Sequence, residues 1–177
     1  KDAKELCVLG HTGGTTGFPK SVLLSDYQMN AVAHQYRMTM EHDENDTFLN
    51  CMIPFVVYGL LTCMHMPLTL GLEVIVIPKF DASEWKKYLT KYKPVHIAGV
   101  PAYMFPMMED ESLSDVDMSY VRTIAVGGDG MNDALEKQFN EFIHSRGAKI
   151  NITKGYGMTE VCATALTEYN HCNKVGS

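Results

Sequence analysis

Short apolar runs alternate with longer amphipathic segments along the chain, and this alternation constrains the fold more than any other feature. The runs are continuously apolar, as in EVIVI at 73–77, which is typical of strands covered on both faces. Strands that alternate with helices predict a largely parallel, doubly wound α/β sheet with helices on both faces. The strands predicted in this way are 6–10, 22–24, 47–51, 73–77, 95–98, 123–126 and 149–153.

Helix starts are marked by capping signals. Ser25 with Gln28 and Asp133 with Glu136 both match the capping box, in which the first side chain accepts a hydrogen bond at the helix N-terminus. A third start is indicated at Ser83. The predicted helices are 26–40, 83–93 and 133–146. No repeat or low-complexity linker separates these elements, so one folded unit is expected.

Charge and hydrophobicity argue against several classes of protein. The 177 residues, 46% of them hydrophobic, are enough for one globular domain. The net charge is −6 and no long basic run occurs, so nucleic acid is not an expected partner. Pro54 and Pro67 interrupt the most apolar stretches before they reach the roughly 20 residues of a membrane span. The 5 cysteines include no CxxC pair, which favours a reducing cytoplasm over a disulfide framework or zinc site.

A glycine- and threonine-rich loop, HTGGTTGFPKSV, follows the first predicted strand. Its glycines allow backbone N–H groups to face an anion, its threonines add hydroxyl donors, and Lys20 adds a positive charge. The pattern therefore predicts a phosphate-binding loop at the carboxyl end of a strand of the parallel sheet. The spacing fits neither a Walker A loop nor a Rossmann loop, because Phe18 and Pro19 separate the last glycine from Lys20. A flexible hairpin loop without a ligand is the alternative.

Three motifs, taken in order, resemble those of adenylate-forming enzymes, which include acyl-CoA synthetases, luciferases and peptide-synthetase adenylation domains. Thr12–Lys20 looks like the phosphate-loop signature [ST]-[SG]-G-[ST]-[ST]-G-x-P-K, and residues 155–160, GYGMTE, resemble Y-G-x-T-E. Between them, residues 125–130, AVGGDG, resemble the glycine pair that ends a strand beside the adenine site. The resemblance covers essentially the whole chain, in the style of fatty-acid and aryl-CoA ligases. It implies the central part of the large N-terminal domain of such an enzyme.

The resemblance also implies a role for each motif residue. Lys20 and its loop would contact the β- and γ-phosphates of ATP, Thr159 the α-phosphate, and Glu160 a magnesium ion. Tyr156 would lie against adenine. Taken alone, Tyr156 could equally be a core tyrosine and Glu160 a solvated carboxylate at a helix start. The site residues implied are Thr12, Gly13, Gly14, Thr15, Thr16, Gly17, Lys20, Gly128, Asp129, Gly130, Tyr156, Gly157, Met158, Thr159 and Glu160.

Several residues depart from the family pattern. Ser21 stands where the family usually has glycine. Asp129 stands where the family has a small residue, and it is either an acid in the pocket or part of a surface turn. The segment PFVVYG at 54–59 has Val56 or Val57 where the family has a histidine that gates the acid site.

Two further features have alternative interpretations. FDAS at 80–83 is similar to a peptide-synthetase motif whose aspartate binds an amino acid, but its position favours a helix cap. The methionines could line an acyl tunnel or belong to the core; those concerned are Met104, Met107 and Met108.

The function implied is that of an ATP-dependent carboxylic acid:CoA ligase of fatty-acid metabolism, which forms an acyl-adenylate and then transfers the acyl group to CoA or a carrier-protein thiol. Residues 1–177 would form a partial AMP-binding domain that is inactive alone, with the C-terminal domain absent. The ribose-binding aspartate and catalytic lysine would lie downstream. Two alternatives remain: a non-catalytic nucleotide- or protein-binding module, and a peptide-synthetase-type adenylation domain.

Overall fold

A mostly parallel β-sheet forms the centre of the molecule in a computed structural model, which describes residues 2, 4–13 and 17–167. The α-helices are α1 (Asp26–Thr39), α2 (Met66–Thr69), α3 (Trp85–Tyr92), α4 (Pro101–Met104) and α5 (Asp133–His144). The strands are β1 (Leu6–His11), β2 (Ser21–Ser25), β3 (Thr47–Asn50), β4 (Glu73–Val76), β5 (His96–Gly99), β6 (Thr123–Gly127), β7 (Thr153–Tyr156) and β8 (Leu166–Thr167). A π-helix, Tyr58–His65, leads directly into α2, and four 3-10 turns are Ala82–Glu84, Phe105–Met108, Glu111–Leu113 and Thr159–Val161.

Six strands form the main sheet in the order β4-β3-β5-β6-β7-β8. All neighbours are parallel except β8, which pairs antiparallel with β7. The register places Ala98 beside Ala125 and Ala125 beside Thr153. The predicted α/β class and parallel sheet are therefore confirmed.

The glycine-rich loop does not join strands of this sheet, so its expected place in the topology is wrong. β1 and β2 form a separate two-stranded antiparallel sheet, with Gly10 opposite Val22. The physical reason is length: residues 12–20 are too few for a parallel crossover, which needs a dozen or more residues. The hairpin nevertheless lies close to the carboxyl end of the main sheet, since a Cβ added to Gly10 would fall 2.8 Å from Val57 and 3.0 Å from Thr159.

Among the predicted boundaries that differ from the structure, two are explained by side-chain hydrogen bonds. The last parallel strand begins at Thr153 and not at 149, because the N–H of Ile152 donates to the side chain of Asn140 (2.9 Å) rather than to a neighbouring strand. Asn132, not Asp133, caps α5, and its side-chain oxygen accepts from the N–H of Leu135 at 2.8 Å.

Two other capping predictions are confirmed, but the helix start predicted at Ser83 is wrong, because Ser83 lies within a 3-10 turn and α3 begins at Trp85. The capping box of Ser25 and Gln28 is present at the start of α1. Asp81 accepts from the N–H of Ser83 and caps the turn before α3, which confirms the cap interpretation of FDAS.

Hydrophobic cores cover both faces of the sheet. On the first face, Ile97, Ile124 and Val126 pack with residues of α3 and α5 such as Trp85 and Phe139. The buried residues Met104 and Met107 belong to this core, and Met108 packs against it, so the acyl-tunnel interpretation of these methionines is wrong. On the second face, α1, the π-helix and α2 bury Ala33, Cys63 and Met66 against Phe48 and Ala98.

Candidate active site

An open cavity of about 740 Å³ runs along the second face of the sheet. Residues with short side chains form its floor because the register places them on the same face of β5, β6 and β7. The end of α1 and the start of the π-helix form its wall. The floor residues are Ala98, Thr123, Ala125, Gly127, Thr153 and Gly155. The volume is in the range of small-molecule sites.

At the carboxyl end of the strands, two of the predicted motifs meet. Gly127 ends β6 and Gly128 follows it, while Tyr156 ends β7 and the rest of the Y-G-x-T-E segment follows it. Gly127, Gly128 and residues 156–159 line the cavity. Gly128 has φ +81°, a conformation that favours glycine, and an added Cβ would lie 3.2 Å from Val100. The structure thus brings Gly128 and the predicted residues Tyr156, Gly157, Met158 and Thr159 to one end of one cavity.

Within the second motif, tight backbone packing orients the side chains. A Cβ added to Gly157 would fall 1.4 Å from the carbonyl oxygen of Ala163. The N–H of Ala163 donates to the carbonyl of Met158 at 3.1 Å, which folds the segment back on itself. Tyr156 remains 53% exposed, so the core-tyrosine interpretation is wrong and its ring is available to a planar ligand. The hydroxyl of Thr159 donates to the carbonyl of His11 over 3.4 Å, which ties this turn to the hairpin.

The glycine-rich loop is closed at its base by two hydrogen bonds. The N–H of Thr12 donates to the carbonyl of Lys20, and the N–H of Lys20 donates to the Thr12 hydroxyl, both at 3.0 Å. A Cβ added to Gly13 or Gly17 would meet nothing within 4 Å among the described atoms. Packing therefore does not explain these glycines, and the backbone there is open to an approaching ligand. Gly14, Thr15 and Thr16 lie outside the described residues.

The remaining predicted residues lie outside the cavity lining. Lys20, Asp129, Gly130 and Glu160 are all exposed, and none of these described side chains lines the cavity. The carboxylate of Asp129 accepts from the N–H of Gly130 at 2.7 Å, which agrees with a turn aspartate. Of the two valines at the place of the family histidine, Val57 is buried in the core beneath the hairpin, while Val56 is 39% exposed; both line the cavity.

Sequence reasoning did not identify three hydroxyls on the cavity wall. Tyr36 and Thr164 share a hydrogen bond of 2.7 Å, and Thr62 and Thr164 share one of 3.3 Å. Burial, only partly offset by the hydrogen bonds of Tyr36 with Thr164 and with Thr62, raises the pKa of Tyr36. Tyr36 follows Met29 and Ala33 at helical spacing, a signal that indicates a core position, and no pattern marks Thr62 or Thr164.

Tyr58 is a further lining residue near the carboxyl end. Its hydroxyl donates to the carbonyl of Gly99 at 3.3 Å, and burial raises its pKa well above the usual value. It is the first residue of the π-helix, an arrangement that is frequent at functional sites. Tyr58 therefore lies at the carboxyl end of the cavity, close to Gly99 and Gly127.

Charged side chains lie at the amino end of the strands. Arg122 lines the cavity there and pairs with Asp43 (2.6 Å) and Asp46 (3.2 Å). Asp46 also accepts from Nε2 of the fully buried His96 at 3.1 Å. Within the described part of the chain, no group of three His, Cys, Asp or Glu side chains could hold a metal ion. Nor is any described helix long and apolar enough to span a bilayer.

Comparisons with known proteins agree with this geometry. The family model described as AMP-binding enzyme matches residues 1–177. A long-chain-fatty-acid–CoA ligase of Bacillus subtilis is 31% identical over 98% of this chain, and a 4-coumarate–CoA ligase-like protein of Arabidopsis thaliana is 30% identical over 88%. The chain spans 30% and 28% of their lengths. The crystal structure of ATP-bound MatB from Rhodopseudomonas palustris has a TM-score of 0.85 at 18% identity, covering 99% of this chain and 33% of that one.

Proposed function

Since the chain belongs to the AMP-binding enzyme family, we propose that it is the central segment of an ATP-dependent carboxylic acid:CoA ligase. The observation that carries this proposal is the meeting of Gly128 with Tyr156 and Thr159 at one end of a cavity with room for a second ligand. The similarity to two CoA ligases supports the reaction class. Residues 1–177 would act as part of a larger AMP-binding domain.

The reaction proceeds in two balanced steps. A carboxylate oxygen of the acid attacks the α-phosphorus of ATP, and the bond from that phosphorus to the bridging oxygen breaks to release pyrophosphate. The thiol of CoA then attacks the acyl carbonyl, loses its proton, and displaces AMP. A carrier-protein thiol could replace CoA with the same balance. Because negative charge builds on the phosphates in the first step, donors and cations at the carboxyl end are the main requirement.

Residues of this chain can meet that requirement. Lys20 and the open backbone at Gly13 and Gly17 would contact the terminal phosphates, with the loop held by Thr12. The hydroxyl of Thr159 would turn from its long bond with His11 to donate to the α-phosphate. Adenine would lie against the exposed ring of Tyr156 and along the backbone of the 128–130 turn.

A magnesium ion is compatible with the residues present. Glu160 is an exposed carboxylate next to Thr159, and Mg²⁺ is usually held by one or two carboxylates together with substrate phosphates. Glu160 would hold the ion, which would neutralise phosphate charge when bound.

The acid would occupy the cavity beyond the nucleotide, over the floor of β6 and β7.

A peptide-synthetase activity is disfavoured, because Asp81 is engaged as a helix cap outside the cavity lining. We also propose a location in a reducing cytoplasm, which would keep the buried thiols of Cys51, Cys63 and Cys162 in their free state.

Carboxylate-dependent ATP–pyrophosphate exchange by the full-length protein tests this function. Lys20→Ala and Glu160→Gln should each lower exchange at least about a hundredfold. Lys137→Ala, which removes an exposed lysine of α5, is the matched control and should leave exchange unchanged. Wild-type exchange in both site variants would contradict the assignment. ATP binding without exchange for any acid would favour the non-catalytic module.

A further inference from the structure

Three hydroxyl groups from distant parts of the chain meet inside the cavity. Tyr36 comes from α1, Thr62 from the π-helix, and Thr164 from the segment before β8. Thr164 shares hydrogen bonds with both of the others, at 2.7 Å and 3.3 Å. All three residues line the cavity. We refer to Tyr36, Thr62 and Thr164 as the hydroxyl cluster.

The hydroxyl cluster extends from the nucleotide end toward the middle of the sheet. Thr164 lies against the turn at Gly157, because its Cα is 3.0 Å from the position that a Cβ of residue 157 would take. Tyr36 packs against a buried group that Ala125 also contacts, and Ala125 lies two residues before Gly127, or ~7 Å along the strand. A group bound beside Tyr36 would therefore lie on the order of 7 Å from the glycine turn at the carboxyl end.

Hydrogen-bond counting shows that the hydroxyl cluster is not saturated. Three hydroxyls carry three donors and six lone pairs, and Tyr36 also bonds Thr62, so the three mutual hydrogen bonds use all three donors and three lone pairs. Three lone pairs are left over among the described residues. Burial keeps Tyr36 a neutral phenol by raising its pKa, so the donor is retained. Because Phe48 and Met66 are among the neighbouring lining residues, an acceptor there gains from a donor supplied by a ligand or water.

We propose that the hydroxyl cluster recognises an oxygen atom carried partway along the acid substrate. The preferred acids would have a hydroxyl group several bonds from the carboxylate, in preference to hydrocarbon acids of the same length. This inference rests on the proposed function, since it takes the cavity as the acid site. A purely structural role, in which the hydroxyls only join α1 to the π-helix, is the competing explanation.

Matched acids measured on the full-length protein separate the two explanations. The probes are 4-coumarate against cinnamate and 6-hydroxyhexanoate against hexanoate. Each acid is measured by direct calorimetric binding and by ATP–pyrophosphate exchange. The wild type should prefer at least one oxygenated acid by about tenfold. Tyr36→Phe and Thr164→Val should abolish that preference by raising KM for the oxygenated acid alone.

Tyr120→Phe is the matched control, because it removes a tyrosine hydroxyl bonded to the Leu89 carbonyl (2.9 Å) away from the cavity. It should leave the preference unchanged. Equal losses for both acids of a pair in Tyr36→Phe, an unchanged preference, or no preference in the wild type would overturn the inference. Tyr36-dependent binding without exchange would support the hydroxyl cluster and overturn the ligase function. Exchange with a preference that does not depend on Tyr36 would support the ligase function and overturn the inference about the hydroxyl cluster. If no acid binds, both the ligase function and the inference about the hydroxyl cluster are overturned.

Discussion

Gly157 lies directly beneath the carbonyl of Ala163, with only 1.4 Å between that oxygen and the position a Cβ of residue 157 would take. The contact is between two parts of the backbone, so no side-chain rotation can relieve it. Nearby, Cys162 and Ala163 adopt positive φ angles of 60° and 79°. The turn that presents Tyr156 and Thr159 to the cavity therefore depends on a residue without a side chain at position 157.

Gly157→Ala should consequently disrupt this turn. We expect a loss of about 2–4 kcal/mol in the free energy of unfolding, or local opening of the turn, because the backbone must move. Thermal unfolding and limited proteolysis of the full-length protein measure the effect. Gly130→Ala is the control, since a Cβ there meets nothing within 4 Å. Similar stability in the two variants would contradict the close packing at Gly157.

Gly10 connects the hairpin to the rest of the site. An added Cβ would lie 2.8 Å from Val57 and 3.0 Å from Thr159. Gly10→Ala should push the hairpin away from Thr159 and raise KM for ATP about tenfold if the two segments share a nucleotide. Val57→Ala in the same protein creates space and should restore part of the loss. An additive effect of the two substitutions would count against this contact.

Lys154 and Glu136 form a mostly buried ion pair of 2.7 Å between β7 and α5, with 15% and 11% of their side chains exposed. Lys154→Met should cost about 3 kcal/mol of stability, because it leaves Glu136 buried without this partner. Adding Glu136→Leu should recover much of that cost. Denaturant unfolding of both variants tests the pair. If the double variant is less stable than Lys154→Met, the desolvation argument fails.

His96 should make the protein sensitive to acid. Burial lowers its pKa from 6.5, although the hydrogen bond with Asp46 opposes the shift. The unfolded state then binds a proton near pH 6.5 that the folded state binds only at lower pH. The contribution of neutral His96 to the free energy of unfolding is therefore fully present above pH 6.5. It is lost as the pH falls through the folded pKa of His96.

Asp46 also makes the folded state less stable as the pH falls, but at lower pH than His96. Burial alone would raise its pKa, but hydrogen bonds from the Asp43 backbone and from His96 outweigh it and lower the pKa below 3.8. This contribution is present above pH 3.8 and is lost as the pH falls through the folded pKa. The two contributions separate by pH, so the window between about 5 and 6.5 reports on His96.

Unfolding midpoints of wild type and His96→Gln between pH 7.5 and 5 provide the measurement. The wild-type midpoint should fall over this range, and the fall should be smaller in His96→Gln, because glutamine keeps a donor for Asp46 but does not titrate. His34→Gln changes an exposed histidine and serves as the control. An identical slope in wild type and His96→Gln would exclude His96 as the acid-sensitive group.

Local signals in the sequence determined many of the elements and three motifs. The capping box of Ser25 and Gln28 was correctly predicted because its partners are three residues apart. The cap of α5 was displaced by one residue, since Asn132 and Asp133 are both good caps and only the folded chain selects between them. The convergence of Gly128 with Thr159 followed from the rule that carboxyl ends of parallel strands share one edge.

Tertiary structure alone decided the rest. Three features depend on which elements pack together: the separate hairpin, the burial of Met104 and Met107, and the hydroxyl cluster. Tyr36 and Thr164 are 128 positions apart, and Thr62 and Thr164 are 102 apart, so no local periodicity records their contact. The sequence by itself determined strands, helices and motif chemistry because those rest on neighbouring residues. The shape and polarity of the cavity came from packing between segments, where the free energy depends on the whole fold.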